Sequence, residues 1–177
     1  MTNQDQGDRR PMVLVLTGAP GVGKSSVARA LAAALPLCAH VGADTLQRMV
    51  VSGGQWPSAA TASAHEQLLV RTRNAALLAA SFASSAIPVV LDEVLAWPEQ
   101  MRCLSDALAG TPWRVIGLTA EPAVVRLRDA GRHKQTAALY EGVESAIRSS
   151  AAGATWIDTT DLSQEEAVHV ARTLVGW

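Results

Sequence analysis

Gly18-Ala19-Pro20-Gly21-Val22-Gly23-Lys24-Ser25 lies between an apolar run, Met12-Val13-Leu14-Val15-Leu16, and a helix-like run over residues 26–35. The octapeptide is a complete G-x-x-x-x-G-K-S pattern. Its glycines let successive backbone N–H groups turn inward around a polyphosphate. Lys24 then reaches the β- and γ-phosphates, and the Ser25 hydroxyl ligates Mg²⁺. The helix that follows aims its positive end at the same anion. Gly18, Ala19, Pro20, Gly21, Val22, Gly23, Lys24, Ser25 and Ser26 are therefore the expected nucleotide-binding residues, with ATP and Mg²⁺ as cofactors.

Outward from this loop, short apolar runs alternate with longer periodic ones. Strands are expected over residues 12–17, 37–41, 87–91, 113–118 and 155–157. Helices are expected over 45–50, 58–85, 98–108, 122–129, 136–149 and 163–175, the last with Ser163 as N-cap and Glu166 at capping-box spacing. Such alternation predicts an α/β, three-layer P-loop NTPase fold: a parallel five-stranded sheet flanked by helices. Residues 1–10 are polar and read as a flexible tail, and residues 11–177 as one kinase-sized domain with a lid around 126–140.

Composition narrows the partners. Fifteen basic residues against sixteen acidic ones leave a net charge of −1, with no excess to hold a nucleic acid. No apolar run approaches a membrane span, so neither nucleic acid nor membrane is an expected partner, and a homodimer stays open. Cys38 and Cys103 lack metal-ligand spacing and read as buried free thiols in a reducing, cytoplasmic compartment.

In parallel sheets ligands bind beyond the strand C-termini, and the chemistry-bearing residues fall there. Asp92 ends an apolar run, where it can hold a water on Mg²⁺ and accept from Ser25. The plainer role is to cap the next helix. Asp44 follows the second strand, where a carboxylate can accept the proton of an attacking hydroxyl. The competing role is an N-cap for residues 45–50. Glu93 is either an acceptor contact or a solvated carboxylate. Trp56 and Trp97 are candidate walls of an acceptor pocket, against the commoner reading of core tryptophans. Arg126, Arg128, Arg132, His133 and Lys134 surround a glycine-containing turn. Arg128 and Arg132 are the expected lid arginines that neutralise charge on the triphosphate. His40, His65 and His169 have no spaced partner for a metal and read as structural or solvated.

Four segments, the loop at 18–25, Val41-Gly42-Ala43-Asp44-Thr45-Leu46, Val89-Val90-Leu91-Asp92-Glu93-Val94 and Ile157-Asp158-Thr159-Thr160, occur in the order seen in chloramphenicol phosphotransferase-like kinases. The chain resembles that family over residues 12–174. The resemblance implies a shikimate-kinase-like fold that moves the γ-phosphate of ATP to a hydroxyl of a small molecule. It makes Asp44 the general base, Lys24 and Ser25 the phosphate and Mg²⁺ residues, and puts residues 158–161 near the adenine. The sequence departs from the pattern at 51–62, 132–140 and 142–154, segments that shape the lid and the acceptor pocket.

The expectation is thus an ATP-dependent O-phosphotransferase on a small hydroxylated molecule, an antibiotic being one acceptor class, with resistance or self-protection as the outcome. A metabolic kinase for a sugar acid, a shikimate-like acid or a nucleoside is the second reading. An anionic acceptor of that kind needs pocket arginines, for which Arg48, Arg71 and Arg73 are candidates. The third is a regulatory ATPase without an acceptor. There is no Asn-Lys-x-Asp guanine motif, which argues against a GTPase.

Overall fold

The computed structural model describes residues 12–130 and 140–177. The expected tail at 1–10, Arg132, and the lid expectation from 131 to 139 lie outside the described residues. The elements run β1 (Val13–Gly18), α1 (Lys24–Ala33), β2 (Ala39–Gly42), α2 (Ala43–Gln47), α3 (Ala62–Ser84), β3 (Val89–Asp92), α4 (Pro98–Ala107), β4 (Trp113–Thr119), α5 (Pro122–Ala130), α6 (Tyr140–Ser150), β5 (Thr155–Asp158) and α7 (Gln164–Val175). A 3-10 turn, Pro57–Ala59, precedes α3.

All five strands are parallel, in the order β2-β3-β1-β4-β5. Side-chain alternation along β1 sends Val13 and Val15 to one layer and Leu14 and Leu16 to the other, all fully buried. The first layer is closed by Ala75, Ala76 and Ala79 of α3 and Leu104 of α4. The second is closed by Val27 and Leu31 of α1 and by Ala167, Val168, Ala171 and Val175 of α7. Each buried Val or Leu side chain contributes about 1.5–3 kcal/mol by leaving water, which is why a strand buried on both faces reads as a continuous apolar run.

Several boundaries shift for local reasons. β2 starts at Ala39, since Leu37 is 61% exposed. α3 starts at Ala62 because Ala60 adopts a left-handed φ of 52°, which breaks the helix expected from residue 58. The Thr61 hydroxyl then caps α3 by accepting from the Ala64 N–H at 3.0 Å. The capping box on α7 forms as its spacing predicts: Ser163 Oγ accepts from Glu166 N at 3.2 Å, and Ser163 N donates to Glu166 Oε2 at 2.8 Å. Cys38 and Cys103 are only half-buried, not buried as expected, and neither forms a disulfide. No helix among the described residues is long and apolar enough to cross a membrane.

Candidate active site

The C-terminal ends of β1, β3 and β2 deliver the phosphate loop, Asp92 and Asp44 to one cavity of about 770 Å³. The loop leaves β1 hard against β4. A Cβ on Gly18 would lie 2.3 Å from the Leu118 carbonyl oxygen, and Gly18 itself has φ 144°, so only glycine serves. Gly23, at φ 104°, caps α1, whose first turn carries no acidic side chain to offset its positive end. Lys24 is 8% exposed and donates from Nζ to the Ala19 carbonyl across the loop at 3.2 Å.

Asp92 is mostly buried. Its Oδ1 accepts from the Ser25 hydroxyl at 3.3 Å, and its Oδ2 meets His40 Nε2 at 3.1 Å. Burial pushes its carboxyl up. The hydrogen bond from His40, the charge of Lys24 and the Ser25 contact outweigh that and hold it below the usual aspartate value. The helix-capping alternative for Asp92 does not apply, since α4 begins at Pro98 and both carboxylate oxygens are taken up within the site. A serine hydroxyl beside an ionised carboxylate is a hard oxygen donor set with few protein ligands, which fits Mg²⁺ bound mainly by phosphates and water. Among the described residues no cluster of three His, Cys, Asp or Glu offers a metal site of another kind.

Asp44 lies in the first turn of α2, one residue past the Gly42 N-cap and Ala43, so it is not the cap. Its side chain is 61% exposed, and Asp44 lines the cavity. Facing it is Arg71 of α3, with Nη1 3.8 Å from Asp44 Oδ1. Arg71 is 5% exposed and is gripped in a fork by Glu93, through Nε to Oε2 at 3.1 Å and Nη2 to Oε1 at 2.6 Å. Of the two readings of Glu93, the solvated carboxylate is excluded, while Glu93 does line the cavity as an acceptor contact requires. It is 3% exposed, and Val94 N and Thr72 Oγ1 also contact its oxygens at 2.9 and 3.2 Å. Burial pushes its carboxyl up, while Arg71 and these hydrogen bonds pull it back. Of the three arginines considered for an anionic acceptor, Arg71 lines the cavity, whereas Arg48 and Arg73 are exposed to solvent.

Trp56, 36% exposed, and Trp97 form aromatic walls, with Leu68, Val94 and Val143 between them. Trp97 packs edge-on against His65, ring centroids 5.8 Å apart. Its backbone is set by Gln100, fully buried. Gln100 Oε1 accepts from Ala96 N and Trp97 N at 3.0 and 3.2 Å, and Nε2 donates to Val94 O and Thr72 Oγ1 at 2.9 and 3.1 Å. Gln100 carries only half of a capping-box signal in the sequence, a Gln three residues past the N-cap with Trp97 where a Ser or Thr would complete it, and so went unassigned. The sequence reading also missed His40, whose partner Asp92 is 52 residues away and invisible to spacing.

A second hollow of about 360 Å³ lies on the other side of Gly23, lined by Val22, Ser26, Val27, Thr159 and Leu162. Arg128, expected as a lid arginine on the triphosphate, lines this hollow with its guanidinium engaged by the protein. Its Nη1 donates to Thr159 Oγ1 at 3.1 Å, and Nη2 to the Thr159 and Leu162 carbonyls at 2.6 and 3.3 Å. Its guanidinium thus braces the loop between β5 and α7. Arg126, two residues away on α5, is exposed.

A family profile described as "AAA domain" matches residues 13–155. No curated protein matches the sequence. Among solved structures, the chain is similar to a gluconokinase from Sinorhizobium meliloti 1021, with 20% identity, coverage of 95% and 93% of the two chains and a TM-score of 0.67. It is similar to the tunicamycin resistance protein of Deinococcus radiodurans, with 19% identity, coverage of 95% and 96% and a TM-score of 0.68. A shikimate kinase from Bacteroides thetaiotaomicron gives 16% identity, coverage of 93% and 98% and a TM-score of 0.65. These likenesses show the fold, and the five-stranded parallel sheet of this chain is the one expected of the P-loop NTPase fold.

Proposed function

The chain belongs to the AAA domain family, and we propose that it is an ATP-dependent O-phosphotransferase acting on a small hydroxylated molecule. One observation carries the proposal: the phosphate loop, Asp44 and the paired tryptophans line a single cavity. A nucleotide switch needs the phosphate cradle. It does not need a roomy aromatic chamber opening onto the position of the γ-phosphate.

In the reaction proposed, the base and ribose of ATP occupy the hollow beside Arg128 and Thr159, and the triphosphate follows the loop N–H groups into the larger cavity. Asp44 orients the acceptor hydroxyl and takes its proton as the oxygen attacks the γ-phosphorus. The bond from the γ-phosphorus to the β-phosphate oxygen breaks, and ADP leaves. Lys24 neutralises charge on the β- and γ-phosphates. Mg²⁺, held by Ser25 and through water by Asp92, would supply charge neutralisation between those phosphates.

The lining favours an uncharged, partly apolar acceptor. Pro20, Trp56, Leu68, Val94 and Trp97 dominate, and the one arginine among the described lining residues, Arg71, is already neutralised by Glu93. That balance supports the antibiotic reading and the resemblance to chloramphenicol phosphotransferase-like kinases. Arg71 is the observation that favours an anionic metabolite instead, because its Nη1 faces the cavity side near Asp44. A coupled ADP-release screen with ATP and Mg²⁺ tests these readings against hydroxylated antibiotics, sugar acids, shikimate and nucleosides, with mass spectrometry to find one added phosphate. ADP release that ignores every acceptor would overturn the kinase reading in favour of a regulatory ATPase.

A further inference from the structure

His40 has no role in the reaction as written, yet its ring makes a side-chain hydrogen bond to Asp92. In the parallel register Val90 pairs with His40 and Asp92 with Gly42. Positions 40, 90 and 92 therefore share the α1 face of the sheet, and the imidazole reaches diagonally from β2 to Asp92. A carboxylate that holds water on a metal must keep its oxygens aimed. The Ser25 contact, at 3.3 Å, comes from a hydroxyl that also serves the metal and leaves the carboxylate free to swing about Oδ1. The His40 contact at 3.1 Å on Oδ2 removes that freedom. Donation to a carboxylate places the ring proton on Nε2. His40 is 20% exposed and lies outside the acceptor cavity, so its orientation serves Asp92 and not an acceptor.

We infer that His40 is a positioning residue for the metal-bound nucleotide: it locks the Asp92 rotamer on which Mg²⁺-dependent nucleotide binding rests. This inference rests on the nucleotide site proposed above, but not on any acceptor. Partners of this kind that orient a metal-site carboxylate are worth about 10- to 100-fold in metal affinity.

The test is calorimetric titration of the full chain with ADP, once with Mg²⁺ and once with EDTA, for the unaltered protein, His40→Phe and His40→Gln. The gain in affinity conferred by Mg²⁺ is expected to fall about 10-fold or more in His40→Phe. Metal-free affinity should stay within about twofold, and His40→Gln, which keeps an N–H donor, should restore the gain. A change that only loosened the fold would weaken both affinities together, and that result, or an unchanged Mg²⁺ gain, overturns the inference. If His40→Phe does not fold, His40→Leu is read by the same criterion. In an Asp92→Asn background the His40 substitution should have no further effect on the Mg²⁺ gain, and an equal loss there would also overturn it. Absence of ADP binding in the unaltered protein would overturn this inference and the nucleotide reading alike. An intact Mg²⁺ effect at His40 without acceptor-dependent turnover would sink the kinase reading alone.

Discussion

Asp44 and Asp92 face one cavity from neighbouring strand ends, but their surroundings divide the work between them. Asp92 is mostly buried, with each oxygen held by a donor, and is suited to a fixed charge. Asp44 is open to the cavity, 3.8 Å from the Arg71 guanidinium, and can approach a substrate hydroxyl. Replacing Asp44 with Asn should therefore leave ADP affinity intact and cut acceptor-dependent turnover by ~10²–10⁴. Stopped turnover combined with lost ADP binding would show that Asp44 serves the nucleotide instead. Lys24→Ala should abolish transfer, read in the same ADP-release assay, because the cradle loses the lysine charge at the β- and γ-phosphates; near-normal turnover would remove the phosphate loop from the mechanism. The buried Arg71–Glu93 fork carries a structural expectation of its own. Glu93→Leu strands a buried guanidinium and should cost about 3–5 kcal/mol in denaturant unfolding. The double change Arg71→Leu with Glu93→Leu should recover much of that loss, since no buried charge is then left unpaired.

At the scale of elements, what the sequence disclosed is whatever depends on near neighbours. The phosphate loop, the strand ends at Asp44 and Asp92, and the Ser163–Glu166 capping box are all written in fewer than ten consecutive residues. Contacts such as His40–Asp92 and Arg128–Thr159 join positions 52 and 31 residues apart and depend on strand order, which local pattern does not encode. The loop that carries Trp56 is a similar case. Gln67 of α3 donates from Nε2 to Gly53 O at 3.0 Å and accepts at Oε1 from Gln55 N at 2.8 Å, while Gln47 of α2 donates to Gln55 O at 3.0 Å. These amides tie the Trp56 wall to the helices bearing Asp44 and Arg71. Gln67→Leu should accordingly raise KM for the acceptor several-fold while leaving ADP affinity unchanged, a split that steady-state kinetics and calorimetry together would reveal. The α7 box gives a pH expectation. The bonds from the Ser163 backbone and side chain hold the Glu166 carboxyl below its usual value. A depressed carboxyl contributes stability above its unfolded pKa of about 4.3 and loses it as pH falls through the lower folded value. The stability gap between the unaltered protein and Glu166→Ala should thus be widest at neutral pH and narrow below pH ~4.

For the whole molecule, the nucleotide site is not a detachable module. Its phosphate loop joins β1 to α1, Asp92 ends β3, and the hollow beside Gly23 is built from the β5–α7 loop at Thr159 and Leu162, braced by Arg128 of α5. A ligand that touches all of these binds only when the central sheet is assembled, so its binding energy adds to the stability of the entire fold. Mg²⁺ and ADP at 100 times the dissociation constant should add about 2.7 kcal/mol. For a chain of this length each kcal/mol moves Tm by about 2–4 °C, so the melting transition should rise by about 5–11 °C as one cooperative step. Lys24→Ala should lose most of that shift at the same ligand concentration. Two separate transitions, only one of them moved by ADP, would mean that the site is carried by a part of the sheet that folds without the rest. The shared register of β1 with both β3 and β4 argues against such a division, because β1 cannot unpair from either neighbour without exposing Leu14 and Leu16, the residues that lead into the loop.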